Sequence, residues 1–299
     1  LLKNETIICL LSRGGVCLPG IQQQGESCMK KHLSNIILIV ILLAGLSLLL
    51  YPTVSDYWNK FHQSQAIADY AEAVANLDRE DYERLWTEAK AYNEALWSKP
   101  NRYNLSEEEY REYESMLDVS GNGIMGYIEI ESINCYLPIY HGVDETILQI
   151  AVGHIEGTSL PVGGPGTHCV LSGHRGLPSA RLFTDLDQLR EGDVFVLRIL
   201  DETLTYEVDQ IHIVLPGEVQ DLDLAEQRDY CTLVTCTPYG VNSHRMLVRG
   251  HRIENLADAS SIRVTADAMQ LKPILITPIL MAPMLILLLI WLRIRHRRR

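Results

Sequence analysis

Apolar and polar positions follow three different rhythms along the chain. Residues 36–50 form an almost unbroken apolar block preceded by Lys30 and Lys31. That length suits a signal-peptide core or a short membrane anchor. No Ala-x-Ala site follows promptly, because the chain continues Tyr51-Pro52-Thr53-Val54, so a retained transmembrane anchor over 36–51 is favoured. From 57 to 97 the rhythm is helical. Ile67, Tyr70 and Val74, then Leu85, Trp86, Ala89, Tyr92 and Leu96, recur at three- and four-residue intervals. Lys99-Pro100-Asn101 ends that pattern, and Ser106-Glu107-Glu108-Glu109 has the chemistry of an N-cap and first turn. A second short helix is therefore expected to end near Leu117, completing a helical extension over 54–117.

After Gly123 the rhythm becomes β-like. Strands are predicted over 125–130, 168–171, 194–199, 204–214, 230–236 and 245–248, with 182–189 read as a helical interruption. Many short strands joined by Gly/Pro turns argue for a closed or nearly closed barrel, assigned to 118–256. A linker (257–272) leads to a second apolar run over 273–292, uncharged and long enough to span hydrocarbon. Pro278 and Pro283 interrupt it but are tolerated in membrane helices. The tail 293–299 carries Arg293, Arg295, Arg297, Arg298 and Arg299. Basic residues flanking both apolar runs place both termini in the cytoplasm and the region between them outside.

Composition narrows the function. A formal charge of −12 over 299 residues argues against nucleic-acid binding. Cys9, Cys17 and Cys28 precede the anchor, leaving Cys135, Cys169, Cys231 and Cys236 in the folded part. No zinc-ligand spacing joins them, so neither a metal nor a cofactor is expected. His141, His154 and His168 read, with Cys135 and Cys169, as structural residues. Residues 1–28 open without methionine and lack periodicity, whereas Met29-Lys30-Lys31 resembles a normal targeting start. Met29 is accordingly expected to be the biological start.

The candidate chemistry lies in two strings. Cys231-Thr-Leu-Val-Thr-Cys236 reads as a strand closed by the turn Thr237-Pro238-Tyr239-Gly240, and Arg245 opens the next strand. Alternation puts Cys236 on the face opposite Cys231, with five strand residues spanning roughly 16 Å. That is beyond disulfide reach, so Cys236 reads as a free thiol at a strand mouth. Upstream, Val170-Leu171-Ser172-Gly173 runs out into His174. Thiol acyl transfer needs a nucleophile, a proton shuttle and an oxyanion donor, roles open to Cys236, His174 and Arg245 in that order. Each residue alone has a bland reading. A strand cysteine is commonly an inert buried side chain, which would leave a non-catalytic, membrane-tethered β-barrel.

Taken together, the strings resemble a known family. Thr232-Leu-Val-Thr-Cys236 followed by His244-Arg245-Met-Leu-Val-Arg-Gly250 is similar to the signature of the sortases of Gram-positive bacteria, and Leu171-Ser-Gly-His174-Arg-Gly176 resembles the segment around their catalytic histidine. Gly123-Ile-Met-Gly-Tyr-Ile, Leu137-Pro-Ile-Tyr-His-Gly and Gly153-His-Ile-Glu-Gly extend the likeness, which is best to the pilus-associated class C branch. The resemblance implies an eight-stranded β-barrel flanked by two transmembrane helices. It also implies a cysteine transpeptidase acting on a Leu-Pro-x-Thr-Gly-like sorting signal, with a pilin lysine as acceptor. A housekeeping sortase joining surface proteins to a cell-wall amine is the alternative. Many class C sortases carry an acidic, aromatic lid. Here the corresponding loop, 97–106, contains no acidic residue, and Lys99 and Arg102 are expected to face the like charge of Arg245. A weakly held loop lying near the site is therefore predicted.

Overall fold

The computed structural model describes residues 22–255 and Trp291. The apolar run at 273–292 apart from Trp291, the linker 257–272, the tail 293–299 and most of the 1–28 stretch lie outside the described residues. The chain divides into two compact units, residues 1–51 and 52–299.

The first unit holds the leading part of α1 (Gln22–Ala75). Its apolar block is exposed on all sides, Leu48 and Leu49 being 77% and 74% accessible. The segment Ser34–Ala75 is long and apolar enough to cross a membrane. A helix satisfies its own backbone hydrogen bonds, as a hydrocarbon solvent demands.

In the second unit the rest of α1 is followed by α2 (Arg79–Ala95) and α3 (Glu107–Ser115). The helical region is thus broken once more than the apolar spacing predicts. Asp78 caps α2 by accepting the Asp81 N–H at 2.8 Å, and a cap this short leaves the three- and four-residue rhythm undisturbed. The expected cap of α3 is present as a reciprocal capping box between Ser106 and Glu109. Each helix docks through at least one buried polar side chain. Tyr70 Oη donates to the Met125 carbonyl at 2.8 Å and accepts the Leu200 N–H at 2.7 Å. Asn93 exchanges two hydrogen bonds with the Leu160 backbone, at 3.1 and 2.7 Å. Tyr113 Oη accepts the Gly142 N–H at 3.0 Å and lies 2.8 Å from His154 Nδ1. Burial pushes the Tyr70 and Tyr113 phenols up, so both remain protonated.

Eight strands close the barrel: β1 (Ile124–Ile130), β2 (Cys135–His141), β3 (Val152–His154), β4 (Thr167–Ser172), β5 (Val194–Ile199), β6 (Glu202–Val214), β7 (Asp229–Thr237) and β8 (His244–Ile253). Their order is β1-β2-β3-β4-β7-β8-β6-β5, with β5 returning to β1. The pairs β2/β3 and β4/β7 are parallel, and the other pairs are antiparallel. The six predicted strands are all present, most of them longer than expected. The sequence reading omits β2, which carries Pro138, and β3, which has only three residues and no room for alternation. The expected helix at 182–189 is absent. Only the 3-10 turn Leu186–Gln188 forms, because Leu182 adopts φ +41 while Phe183 and Leu186 are drawn into the core. Ile128, Phe195, Tyr206, Leu233 and Val248 fill the interior. A smaller cluster of Val170, Val234, Leu247 and Leu222 packs separately.

Candidate active site

The register of β7 assembles the three candidate residues. Cys231 and Leu233 point into the core, whereas Val234 belongs to the smaller cluster and Cys236 is half-buried. Alternation along β7 thus carries Cys236 away from the barrel interior. On one side β8 pairs antiparallel, with Arg245 directly opposite Cys236. Directly opposed residues share a face, with Cβ atoms roughly 4.5–5.5 Å apart. On the other side β4 runs parallel, with Ser172 level with Val234. That pairing continues past the strand end: Gly173 N–H donates to the Val234 carbonyl at 3.0 Å, and Thr235 Oγ1 donates to the Gly173 carbonyl at 2.8 Å. Gly173 is thus held beside Val234 and Thr235, one residue before His174 and one before Cys236. Gly173 is needed here, because a Cβ would lie 2.7 Å from the Phe183 ring.

The three residues differ in how firmly they are held. His174 Nε2 lies 3.4 Å from Glu145 Oε2, at the start of the short helix α4 (Glu145–Leu148). Gln149 first, and His174 after it, holds the Glu145 carboxyl below its usual value. Arg245 Nη1 donates to the carbonyls of Asn242 and His244, at 3.2 and 3.1 Å, in its own turn. Among the described residues no carboxylate pairs with Arg245, so its charge is uncommitted. A thiol, an imidazole and a guanidinium at one barrel rim have the chemistry of nucleophilic acyl transfer: attack, proton relay and stabilisation of the oxyanion.

The comparisons with known proteins decide the family. Residues 128–253 match the sortase domain model. The crystal structure of sortase C1 from Streptococcus agalactiae is 50% identical, with a TM-score of 0.63, over 64% of this chain and 100% of that one. The chain belongs to the sortase family. A Clostridium perfringens sortase C, solved with the C-terminal cell wall sorting motif, is 43% identical with a TM-score of 0.54, over 64% of this chain and 99% of that one. These likenesses place the chain with the class C sortases, which are cysteine transpeptidases. A curated Sortase A of Streptococcus agalactiae serotype III is 30% identical over 117 residues, 38% of this chain. That match spans just under half of the relative's length, 47%.

His141, His154 and His168 are structural partners in this sortase. His168 Nδ1–H donates to the Asp223 carbonyl at 2.9 Å, and its Nε2 accepts from Thr232 Oγ1 at 2.7 Å. His141 lies between the carbonyls of Met116 and Gly123, at 2.7 and 2.9 Å. His154 meets Tyr113 on one side and the Ser159 carbonyl, 2.8 Å away, on the other. Cys135, Cys169 and Cys231 are buried.

The loop 97–106 departs from expectation. Its cations, expected to face Arg245, pair with acids: Lys99 binds Glu109 at 2.7 Å, and Arg102 binds Asp223 at 3.1 Å. Trp97 Nε1–H also donates to the Gly166 carbonyl at 3.0 Å. These acids lie outside the loop, where a search of the loop's own sequence does not find them. The loop is tethered, and none of its hydrogen bonds or ion pairs among the described residues reaches Cys236, His174 or Arg245. Two residues close to the site went unassigned in the sequence reading. Glu145 lies 29 residues before His174 and carries no local signal. Arg175, by contrast, stands inside the histidine motif itself.

Proposed function

We propose that this sortase joins a cleaved sorting signal to a pilin amine, with Cys236 as nucleophile, His174 as acid and base, and Arg245 as oxyanion or substrate donor. The observation that carries this reading is the cross-strand pairing of Cys236 with Arg245 at the rim where His174 emerges. The Cys236 sulfur attacks the threonine carbonyl of a Leu-Pro-x-Thr-Gly-like signal. The Thr–Gly bond breaks as His174 protonates the departing amine. A lysine amine then attacks the thioester carbonyl, an amide forms as the C–S bond breaks, and His174 takes up the proton. Arg245 suits the negative oxygen because its planar fork keeps its charge at any working pH. We also propose two anchors, the apolar helix at 36–51 and the run at 273–292, with both termini cytoplasmic and the barrel outside.

The test is incubation of the full-length chain in detergent with sorting-signal peptides, followed by mass spectrometry. An adduct on Cys236 supports the reading, and its absence with every signal tested counts against it. Parallel reactions offered a pilin lysine peptide or a cell-wall amine separate pilus assembly from housekeeping attachment.

A further inference from the structure

The geometry points to Arg175 as a positioning residue that locks the His174 loop to the end of the Cys236 strand; this inference rests on the catalytic reading above. The Arg175 side chain is only 8% exposed and reaches two elements at once. One terminal nitrogen pairs with Asp187, within the 3-10 turn Leu186–Gln188. The other donates to Thr237 Oγ1 at 3.3 Å, one residue after Cys236. The guanidinium also lies over the Tyr239 ring, 5.8 Å from its centroid. On the same ring, Gly176 (φ +78) packs so closely that a Cβ would sit 3.0 Å from it. Backbone bonds hold the loop on its other side, with Phe183 N–H donating to the His174 carbonyl at 3.1 Å and Gly176 N–H to Thr184 Oγ1 at 3.1 Å.

Stability alone is a poor reason for this arrangement. The Asp187 carboxylate is solvent-exposed, and an ion pair with one exposed partner contributes little net stability. Arg175 Nε, moreover, is buried with no partner among the described residues, a cost native proteins rarely accept. What the guanidinium supplies is a rigid planar bridge between the residues that follow His174 and those that follow Cys236. Lysine could keep the charge but not the planar fork that reaches Asp187 and Thr237 at once. Small displacements of reacting groups are expensive in rate, about 100-fold for roughly 1 Å.

The test compares Arg175→Lys, Tyr239→Leu and Thr237→Val in the full-length chain, measuring kcat, KM, thermal midpoint and the pH profile of Cys236 alkylation. We expect Arg175→Lys to lower kcat by roughly 10- to 100-fold with KM nearly unchanged. The alkylation profile should change, and combination with Thr237→Val should cost less than the two single losses together. Should Arg175→Lys fail to fold, Tyr239→Leu decides: the Tyr239 side is exposed, so that variant should fold and show a smaller drop in kcat. Unchanged kcat and alkylation in the folded variants, or losses confined to the thermal midpoint or KM, would overturn the inference. Cys236→Ala run alongside keeps the two readings apart. If it still forms the acyl adduct, the catalytic reading fails, whatever Arg175 does.

Discussion

Acidification should weaken this fold through His168, and the size of the effect follows from its surroundings. The ring is 1% exposed, spans the Asp223 carbonyl and Thr232 Oγ1, and joins β4 and β7 to the segment that holds Arg102. Burial, with the nearby charges of Arg249 and Arg102, lowers its pKa from the ordinary 6.5 to about 4. A second proton would also reverse the bond with Thr232, whose hydroxyl would then have to accept from Nε2–H. The sign follows from linkage. Between pH 6.5 and about 4 the unfolded chain carries a proton on this ring that the folded chain refuses, so stability falls as pH falls. The full gap is worth roughly 3 kcal/mol, of which about 2 kcal/mol is lost between pH 7 and pH 5. The assay is urea unfolding of the wild type and of His168→Gln, in detergent, at both pH values. His168→Gln lowers stability at each pH but removes the titrating group, so its loss between pH 7 and pH 5 should be smaller by about 2 kcal/mol. Parallel pH dependences in the two proteins would refute the reasoning.

Cys236→Ala should abolish the thioester adduct while leaving the unfolding midpoint within about 0.5 kcal/mol of the wild type, because a half-buried thiol at the rim leaves little cavity. Tyr113→Phe removes the hydroxyl that serves Gly142 N–H and His154, and should cost about 1–3 kcal/mol in urea unfolding. Deleting residues 98–105 should leave the rate of Cys236 alkylation nearly unchanged, since the loop's polar contacts go to Glu109, Asp223 and Gly166; a large acceleration would reveal a closed lid. Glu145→Gln weakens the hold on His174 Nε2 and should reduce kcat severalfold at constant KM, whereas an unchanged kcat would make the contact incidental.

Local chemistry made much of this protein legible. The alternation of Cys231 to Cys236 is enough to put the two thiols on opposite faces, and Ser106 with Glu109 is enough to start α3. The order Val170 to His174, then Cys236, then Arg245 shows that the candidate residues occupy strand ends, because side-chain period and turn chemistry act over a few residues. The tertiary structure decided which strands are neighbours. The parallel pairing of β4 with β7 joins stretches some sixty residues apart, and it is this pairing that brings the strand end before His174 to the same rim as the end of the Cys236 strand. β2 and β3 were invisible for the same reason: a proline-bearing strand and a three-residue strand are held by partners across the barrel, not by their own pattern. Folding also set the charge balance of the loop 97–106. Arg102 meets Asp223, 121 positions further along the chain, only once the barrel has formed between them, so a loop that looked repelled in sequence is tied down in space.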